Sequence, residues 1–248
     1  AKRKKQKLPA IINIDTGMSR LGLSPTEVTT LAENYNCLQN LDIHYNMTHL
    51  ACGDERENPQ NFEQKKRFDM FLNQLPAIKG CMANSAGIFL GSDYHYSLVR
   101  PGAAIYGLKP IQNEPNPMQP VINLQGRILQ IRVIKKNTPV GYGASYRARA
   151  NTKIATVAVG YGDGFLRNLG NKGSGFIENI RVPIIGRISM DLTTFDVTNV
   201  PENLVMPGKM VDLISPLHTP DDLAEEAGTI GYEILTNFGS RYFRQYIH

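Results

Sequence analysis

The sequence predicts an α/β portion built on a parallel sheet, followed by a mostly antiparallel β domain. Three observations carry that expectation. The first hundred residues alternate short apolar runs with well-capped amphipathic stretches. Four prolines, Pro110, Pro115, Pro117 and Pro120, then crowd one segment. Beyond them, β-type runs separated by turn residues dominate. A βαβα rhythm needs parallel strands joined by helical crossovers. Proline fixes φ and removes a donor, so such density ends regular structure and marks a boundary. Domains are expected at residues 1–112 and 113–248.

The elements follow in order. Ala10–Ile14 is an apolar run ending at Asp15. Ser24-Pro25-Thr26-Glu27 opens a helix: Ser24 caps, Pro25 suits the first turn and Glu27 completes a capping box. Leu41–Thr48 reads as the second strand. Asn61–Leu75 reads as an amphipathic helix, with Phe62, Phe68, Phe71 and Leu72 near helical spacing. Ile78–Ala83 and Ser97–Arg100 are further short strands, followed by helical turns at Ser85–Leu90 and Ala103–Tyr106. After the prolines, Leu129, Ile131 and Val133 alternate with Gln130 and Arg132, as in a half-buried strand. Lys153–Val159, Arg181–Ile188 and Lys209–Ile214 are similar. Thr219-Pro220-Asp221-Asp222 caps a late helix, and Thr229–Phe238 makes another.

Composition excludes several classes. At 248 residues, 42% hydrophobic and 20% charged, the chain can bury a real core and is not disordered. Its net charge is +5, and five basic residues, Lys2, Arg3, Lys4, Lys5 and Lys7, stand among the first seven. The other 22 basic residues balance 22 acidic ones, which speaks against a nucleic-acid surface spread over the fold. The basic run is expected as a solvated segment. No apolar stretch approaches the roughly 20 residues that span a bilayer. Leu8–Ile12 is too short for a signal-peptide core. Cys37, Cys52 and Cys81 form no Cys-x-x-Cys pair, so neither a disulfide scaffold nor a zinc cage is expected. Free buried thiols in a reducing, cytoplasmic setting are.

The conspicuous polar residues of the first half sit just after its strands. Asp15 to Arg20 follow the first, Thr48-His49 end the second, Asn84-Ser85 follow the third, and Arg100-Pro101-Gly102 follow the fourth. Active sites of (β/α) barrels occupy this face, with phosphate held after the last two strands. Ser85 and the Gly102-Ala103 backbone suit that task, since glycine admits a close approach and free N–H groups face an anion. By position, the four strands look like the last four of eight. Each residue also has a plain structural reading: His49 as a satisfied polar group, Asn84-Ser85 as a helix cap, Arg20 and Arg100 as ion-pair partners, and Gly141-Tyr142-Gly143 as a hairpin turn.

Asp15-Thr16-Gly17-Met18-Ser19-Arg20-Leu21-Gly22 resembles a signature of the alanine racemases. The family's order continues through Thr48-His49, Ala83-Asn84-Ser85-Ala86, Val99-Arg100-Pro101-Gly102 and Tyr142-Gly143-Ala144-Ser145-Tyr146. It goes on through Gly160-Tyr161-Gly162-Asp163-Gly164 and Gly186-Arg187-Ile188-Ser189-Met190-Asp191 to Tyr232-Glu233. The resemblance covers essentially the chain from Leu8 onward. It implies the second half of a pyridoxal 5′-phosphate (PLP)-binding (β/α)8 barrel and a β domain, acting as a homodimer with shared active sites. The implied reaction interconverts L- and D-alanine through a PLP external aldimine, with a lysine base on one face and a tyrosine base on the other, supplying bacterial peptidoglycan. The tyrosine matches Tyr142, from the partner subunit, with His49 relaying its proton. Arg100 matches the partner of the pyridine nitrogen. Asn84, Ser85, Gly102, Ala103 and Tyr232 match the residues around the phosphate. Arg20 and the Met190 N–H, the latter from the partner subunit, match the substrate-carboxylate site. Tyr161, Arg187 and Asp191 resemble the access channel.

Two departures stand out. Asn13 occupies the place of a lysine that many members carbamylate to orient the arginine, so Arg20 is expected to be held otherwise, for instance by chloride. The family's Lys-Ala-x-Ala-Tyr-Gly motif, which carries the Schiff-base lysine, does not occur in these 248 residues. The chain is therefore expected to be a C-terminal part, inactive without an N-terminal fragment of the same protein. A broader amino-acid racemase and a non-catalytic remnant are the alternatives.

Overall fold

The computed structural model describes residues 6–247, so Lys2, Arg3, Lys4 and Lys5 of the basic run lie outside the described residues. One compact unit ends at Gln119 and a second begins at Pro120, seven residues beyond the expected break after residue 112. The reason is visible in the bonds of the proline-rich segment. Gln112 N–H donates to Asp54 O at 2.8 Å. Glu114 takes a two-pronged ion pair from Arg56 at 2.6 and 3.1 Å. These residues thus belong to the first unit.

The first unit is a sheet of four parallel strands in sequence order: β1 (Leu8–Asn13), β2 (Leu41–Met47), β3 (Lys79–Asn84) and β4 (Leu98–Arg100). Helices α1 (Pro25–Glu33), α2 (Pro59–Gln74) and the short α3 (Ser85–Phe89) connect them. The capping box at Ser24 and Glu27 forms as expected. Ile12, Ile14, Val28, Phe68, Phe71 and Met82 make the core between sheet and helices. Two details differ from expectation. Phe62 is 62% exposed, because the buried face of α2 carries Asn61 and Gln64 beside Phe68 and Phe71. Cys37 is exposed and Cys52 half-buried; of the three free thiols only Cys81 is buried.

In the second unit every strand pairing is antiparallel. Six strands form one sheet: β5 (Leu124–Ile134), β8 (Thr152–Val157), β9 (Ser174–Ile177), β10 (Ile180–Pro183), β11 (Thr193–Asp196) and β12 (Met210–Ile214), in the order β10-β9-β12-β5-β8-β11. Between β5 and β8 runs a small hairpin of β6 (Pro139–Val140) and β7 (Tyr146–Arg147). The strand expected to run to Ile188 stops at Pro183. Leu129 and Val133 face outward, 50% and 67% exposed. A register shift between Ile128 and Gln130 in the β5–β8 pair interrupts the simple alternation and leaves Leu124, Gly126, Ile128 and Ile134 as the buried residues. Helices α4 (Pro220–Ala227), capped by Thr219 and Asp222, and α5 (Gly231–Asn237) close the unit.

One network ties α4 to the sheet. Glu226 Oε2 accepts from Ser174 N at 2.9 Å, and Oε1 from Ser174 Oγ at 2.6 Å and Arg181 Nη2 at 2.7 Å. His218 Nε2 stands 3.4 Å away. Burial pushes the Glu226 carboxyl up, but His218, Ser174 and Arg181 outweigh it and bring it to about 2 from 4.5. The folded state thus holds this proton less tightly than the unfolded chain. The resulting stabilisation is complete above pH 4.5 and is lost as pH falls toward 2. Glu226→Gln is expected to cost about 1–3 kcal/mol at pH 7 and to flatten the acid limb. Urea unfolding at pH 7 and pH 3 checks both, and an unchanged acid limb would sink the assignment.

Among the described residues no helix is long and apolar enough to cross a membrane. No group of three or more His, Cys, Asp or Glu among them is placed to hold a metal ion.

Candidate functional site

In the first unit, the residues singled out by sequence converge at the ends of β1 to β4. Asn84 and Arg100 are register partners, so the segments following β3 and β4 start side by side. Arg100 Nη2 donates to Thr48 O at 2.9 Å and Met82 O at 3.1 Å, and Nη1 contacts Cys81 Sγ at 2.7 Å. The guanidinium is thereby locked against two neighbouring chain segments, the end of β2 and the middle of β3. Arg100 Nη2 also lies 3.3 Å from His49 Nδ1, which must accept because a guanidinium only donates. The His49 proton then belongs on Nε2, so the Asn84 amide nitrogen 3.5 Å away, itself a donor, makes no hydrogen bond to it. Burial first, then the charges of Arg100 and Arg20, hold the His49 imidazole below its ordinary value, so it is neutral at pH 7.

Asn84 caps α3, its Oδ1 accepting from Gly87 N at 2.9 Å. The Ser85 hydroxyl is 3% exposed and accepts from Gly102 N at 2.9 Å and Ala104 N at 3.2 Å. With its oxygen so used, its own hydrogen is free to donate. Between those two amides, the Ala103 N–H has no protein acceptor among the described residues. A β-carbon on Gly102 would meet no atom within 4 Å. Open space therefore faces this set of donors.

Arg20 is exposed and extends from a loop shaped by Asp15. Asp15 Oδ1 accepts from the N–H groups of Gly17, Met18 and Ser19 at 2.9, 3.0 and 3.1 Å. Against the upward push of burial, these bonds hold the carboxyl below its ordinary range. Arg20, Asn13, Thr48 and His49 share the lining of one hollow of about 110 Å³.

Sequence reasoning passed over three supports of this cluster. Gln64 of α2 donates to Thr16 Oγ1 at 3.1 Å and His49 O at 2.8 Å, and accepts from Ala51 N at 2.8 Å. Thr16 and Thr48 share a 2.8 Å hydroxyl bond. Cys81 completes the seat of Arg100. A buried glutamine on a helix face that otherwise packs phenylalanines was the available signal for the first.

Tyr142, Tyr161, Met190 and Tyr232 belong to the second unit and are all substantially exposed, at 68%, 43%, 54% and 50%. Tyr142 sits in a tight turn between Gly141 and Gly143, both with φ near +70°. A β-carbon on Gly143 would come within 2.9 Å of Arg187 Nη1, so that guanidinium lies against the turn. Tyr161 and Met190 are brought together: Tyr161 N donates to Ser189 O at 3.1 Å and Gly162 N to Met190 O at 2.8 Å. Arg187 and Asp191, also singled out, flank these contacts, and Asp191 pairs with Arg241.

The comparisons with known proteins agree on one family. The sequence family "Alanine racemase, N-terminal domain" matches residues 1–110, and "Alanine racemase, C-terminal domain" matches residues 121–246. An alanine racemase of Rhodospirillum rubrum is 48% identical over 241 residues, covering 97% of this chain and 64% of that protein. A catabolic alanine racemase of Mesorhizobium japonicum is 45% identical, covering 98% of this chain and 63% of that protein. The chain thus spans somewhat less than two thirds of the length of these relatives. The crystal structure of alanine racemase from Bartonella henselae with covalently bound pyridoxal phosphate superposes with a TM-score of 0.93 at 41% identity, covering 99% of this chain and 68% of that one. The biosynthetic alanine racemase of Pseudomonas aeruginosa gives a TM-score of 0.91 at 29% identity, covering 98% of this chain and 68% of that one. Both family domains match in order, and a shared fold runs over almost every residue: the chain belongs to the alanine racemase family.

Proposed function

We propose that this chain forms the phosphate and pyridine side, together with the tyrosine side, of a PLP-dependent racemase that interconverts L- and D-alanine for peptidoglycan in the bacterial cytoplasm. The observation that carries the reading is the pairing of Asn84 with Arg100, which sets an anion cradle beside a half-buried arginine–histidine contact. The donors fit a phosphate. The Ser85 hydrogen and the Ala103 N–H are available, and the space over Gly102 is open. Asn84 orders this turn through its cap, and Tyr232 adds a phenol in the working dimer. PLP supplies, when bound, an electron-withdrawing ring conjugated to the substrate Cα.

The residues of this chain do the rest. Arg100 spends Nη1 and Nη2 on the protein and keeps Nε–H to donate to the ring nitrogen. A guanidinium holds its own proton, so Arg100 would leave the nitrogen of a bound pyridine ring unprotonated. Arg20 binds the substrate carboxylate, with a small anion in the hollow beside Asn13 steadying it. The N–H of Met190 of the partner subunit donates to the same carboxylate. Tyr161 lines the way in. Tyr142 of the partner subunit is the base on one face. Neutral His49 exchanges a proton with its hydroxyl. The base on the other face is a lysine supplied from outside these 248 residues, since they lack the Lys-Ala-x-Ala-Tyr-Gly motif.

Titrating the chain with PLP, followed by its fluorescence and competed by inorganic phosphate, tests the reading. Binding is expected, with Ser85→Ala weakening it about tenfold, as the loss of one charge-assisted hydrogen bond implies. The chain alone should make no D-alanine, and should do so once a polypeptide carrying the lysine motif is added. Binding indifferent to Ser85→Ala would overturn the cradle. Turnover by the 248 residues alone would overturn the external lysine.

A further inference from the structure

We propose that Arg241 is a positioning residue that clamps the Tyr161 turn to the Met190 loop and thereby aims the Met190 N–H at the substrate carboxylate. The proposal rests on the function given above.

Arg241 reaches two carboxylates at once. Its Nε lies 3.2 Å from Asp163 Oδ1, and its Nη2 donates to Asp191 Oδ1 at 2.6 Å. Asp163 belongs to the turn that carries Tyr161 and is 9% exposed, its other oxygen accepting from Gly160 N at 2.9 Å. Asp191 follows Met190 directly. One planar fork therefore joins the two loops.

The loops also interlock without it. Ser189 O and Met190 O accept from Tyr161 N and Gly162 N, and Ser189 N donates to Leu192 O at 2.9 Å. A β-carbon on Gly162 would lie 2.5 Å from Arg241 Nη1 and 3.0 Å from Met190 O, so the guanidinium covers the turn closely. The two carbonyls that flank it are thus occupied, while the Met190 N–H itself has no protein acceptor among the described residues.

Energetics point away from a purely stabilising role. The Arg241 side chain is 51% exposed and Asp191 55%, whereas Asp163 is 13% exposed. The Asp191 arm, so open to water, adds little to folding, and the Asp163 arm anchors the fork. A two-carboxylate bridge does fix geometry, which a lysine with its single point charge cannot reproduce. Arg241 is itself steadied by the neighbouring Gly239 N–H, which donates to Asp163 O at 3.1 Å.

The test has two readouts. In the chain, hydrogen exchange at the Gly162 amide should quicken about tenfold in Arg241→Met, beyond any change at amides of the same unit away from the two loops. Arg241→Lys should rescue this only in part. In the racemising protein, Arg241→Met should raise the KM for alanine about tenfold and change kcat less than about threefold, since ground-state and transition-state binding are lost together. Unchanged exchange at Gly162, full rescue by lysine, or quickened exchange with an unaltered KM overturns the proposal. Absence of racemisation in the parent protein is seen before any variant is made and overturns the underlying function instead.

Discussion

The Gly164→Ala chain is expected to lose more than about 3 kcal/mol of folding stability, or to fail to accumulate in folded form. Gly164 ends the Tyr161 turn at φ +95°. An added β-carbon would fall inside the Asn237 carbonyl, 2.6 Å from its carbon and 3.1 Å from Phe238 Cα. These are backbone atoms where α5 ends, and they cannot swing aside as a side-chain tip does. The contact is also pinned, because Gly239 N donates to Asp163 O. Gly208 supplies the control. It has nearly the same φ, +93°, and nothing within 4 Å of its β-carbon. Gly208→Ala should therefore show the backbone term alone, about 1–2 kcal/mol. Urea unfolding of the two variants separates the terms, and equal losses would refute the steric account.

Arg100→Met should have the next largest effect and should be read at two places. Thr48 O and Met82 O each lose a donor in a half-buried setting, so a loss of about 2–4 kcal/mol is expected. His49 loses the second of the influences that depress it. Its imidazole should rise toward 6.5 yet stay below, because burial, the larger cause, persists. In the parent chain the unfolded state binds the His49 proton more readily than the folded state. Stability from this group is therefore full above pH 6.5 and declines as pH falls through and below it; the variant should show less of this decline. An NMR titration of the His49 ring from pH 4 to 8 reads the shift directly. A His49 midpoint that does not move would mean that Arg100 is not its electrostatic partner.

The helix caps were legible because they are local. Ser24 with Glu27 and Thr219 with Asp222 lie three residues apart, and their hydroxyl and carboxylate satisfy N–H groups that the helix leaves free. The polar residues at the strand ends were legible for the same reason. The face of α2 was not. Hydrophobic spacing put Phe62 inward, whereas Gln64 takes that place through its bonds to Thr16, His49 and Ala51. No hydrophobic pattern carries information about a hydrogen bond across 48 residues of sequence. The outward turn of Leu129 and Val133 depends on a bulge that only pairing with β8 reveals. Cys81 under Arg100, and Arg241 between two aspartates, are likewise tertiary facts without a local signature.

The Ser85 turn has a consequence for inhibition. The amides that hold the Ser85 hydroxyl, Gly102 N–H and Ala104 N–H, and the open one between them, Ala103 N–H, are main-chain groups. Every amino acid except proline supplies such a group, so most single-base changes in those codons leave the donors in place. Under the function proposed above, an inhibitor whose anionic end addresses the Ala103 N–H would meet a target that drug selection can reshape only by bending the backbone or inserting proline. Compounds that lean instead on Arg20 or Tyr161, for which the same proposal invokes the side chain, would offer resistance an easier route.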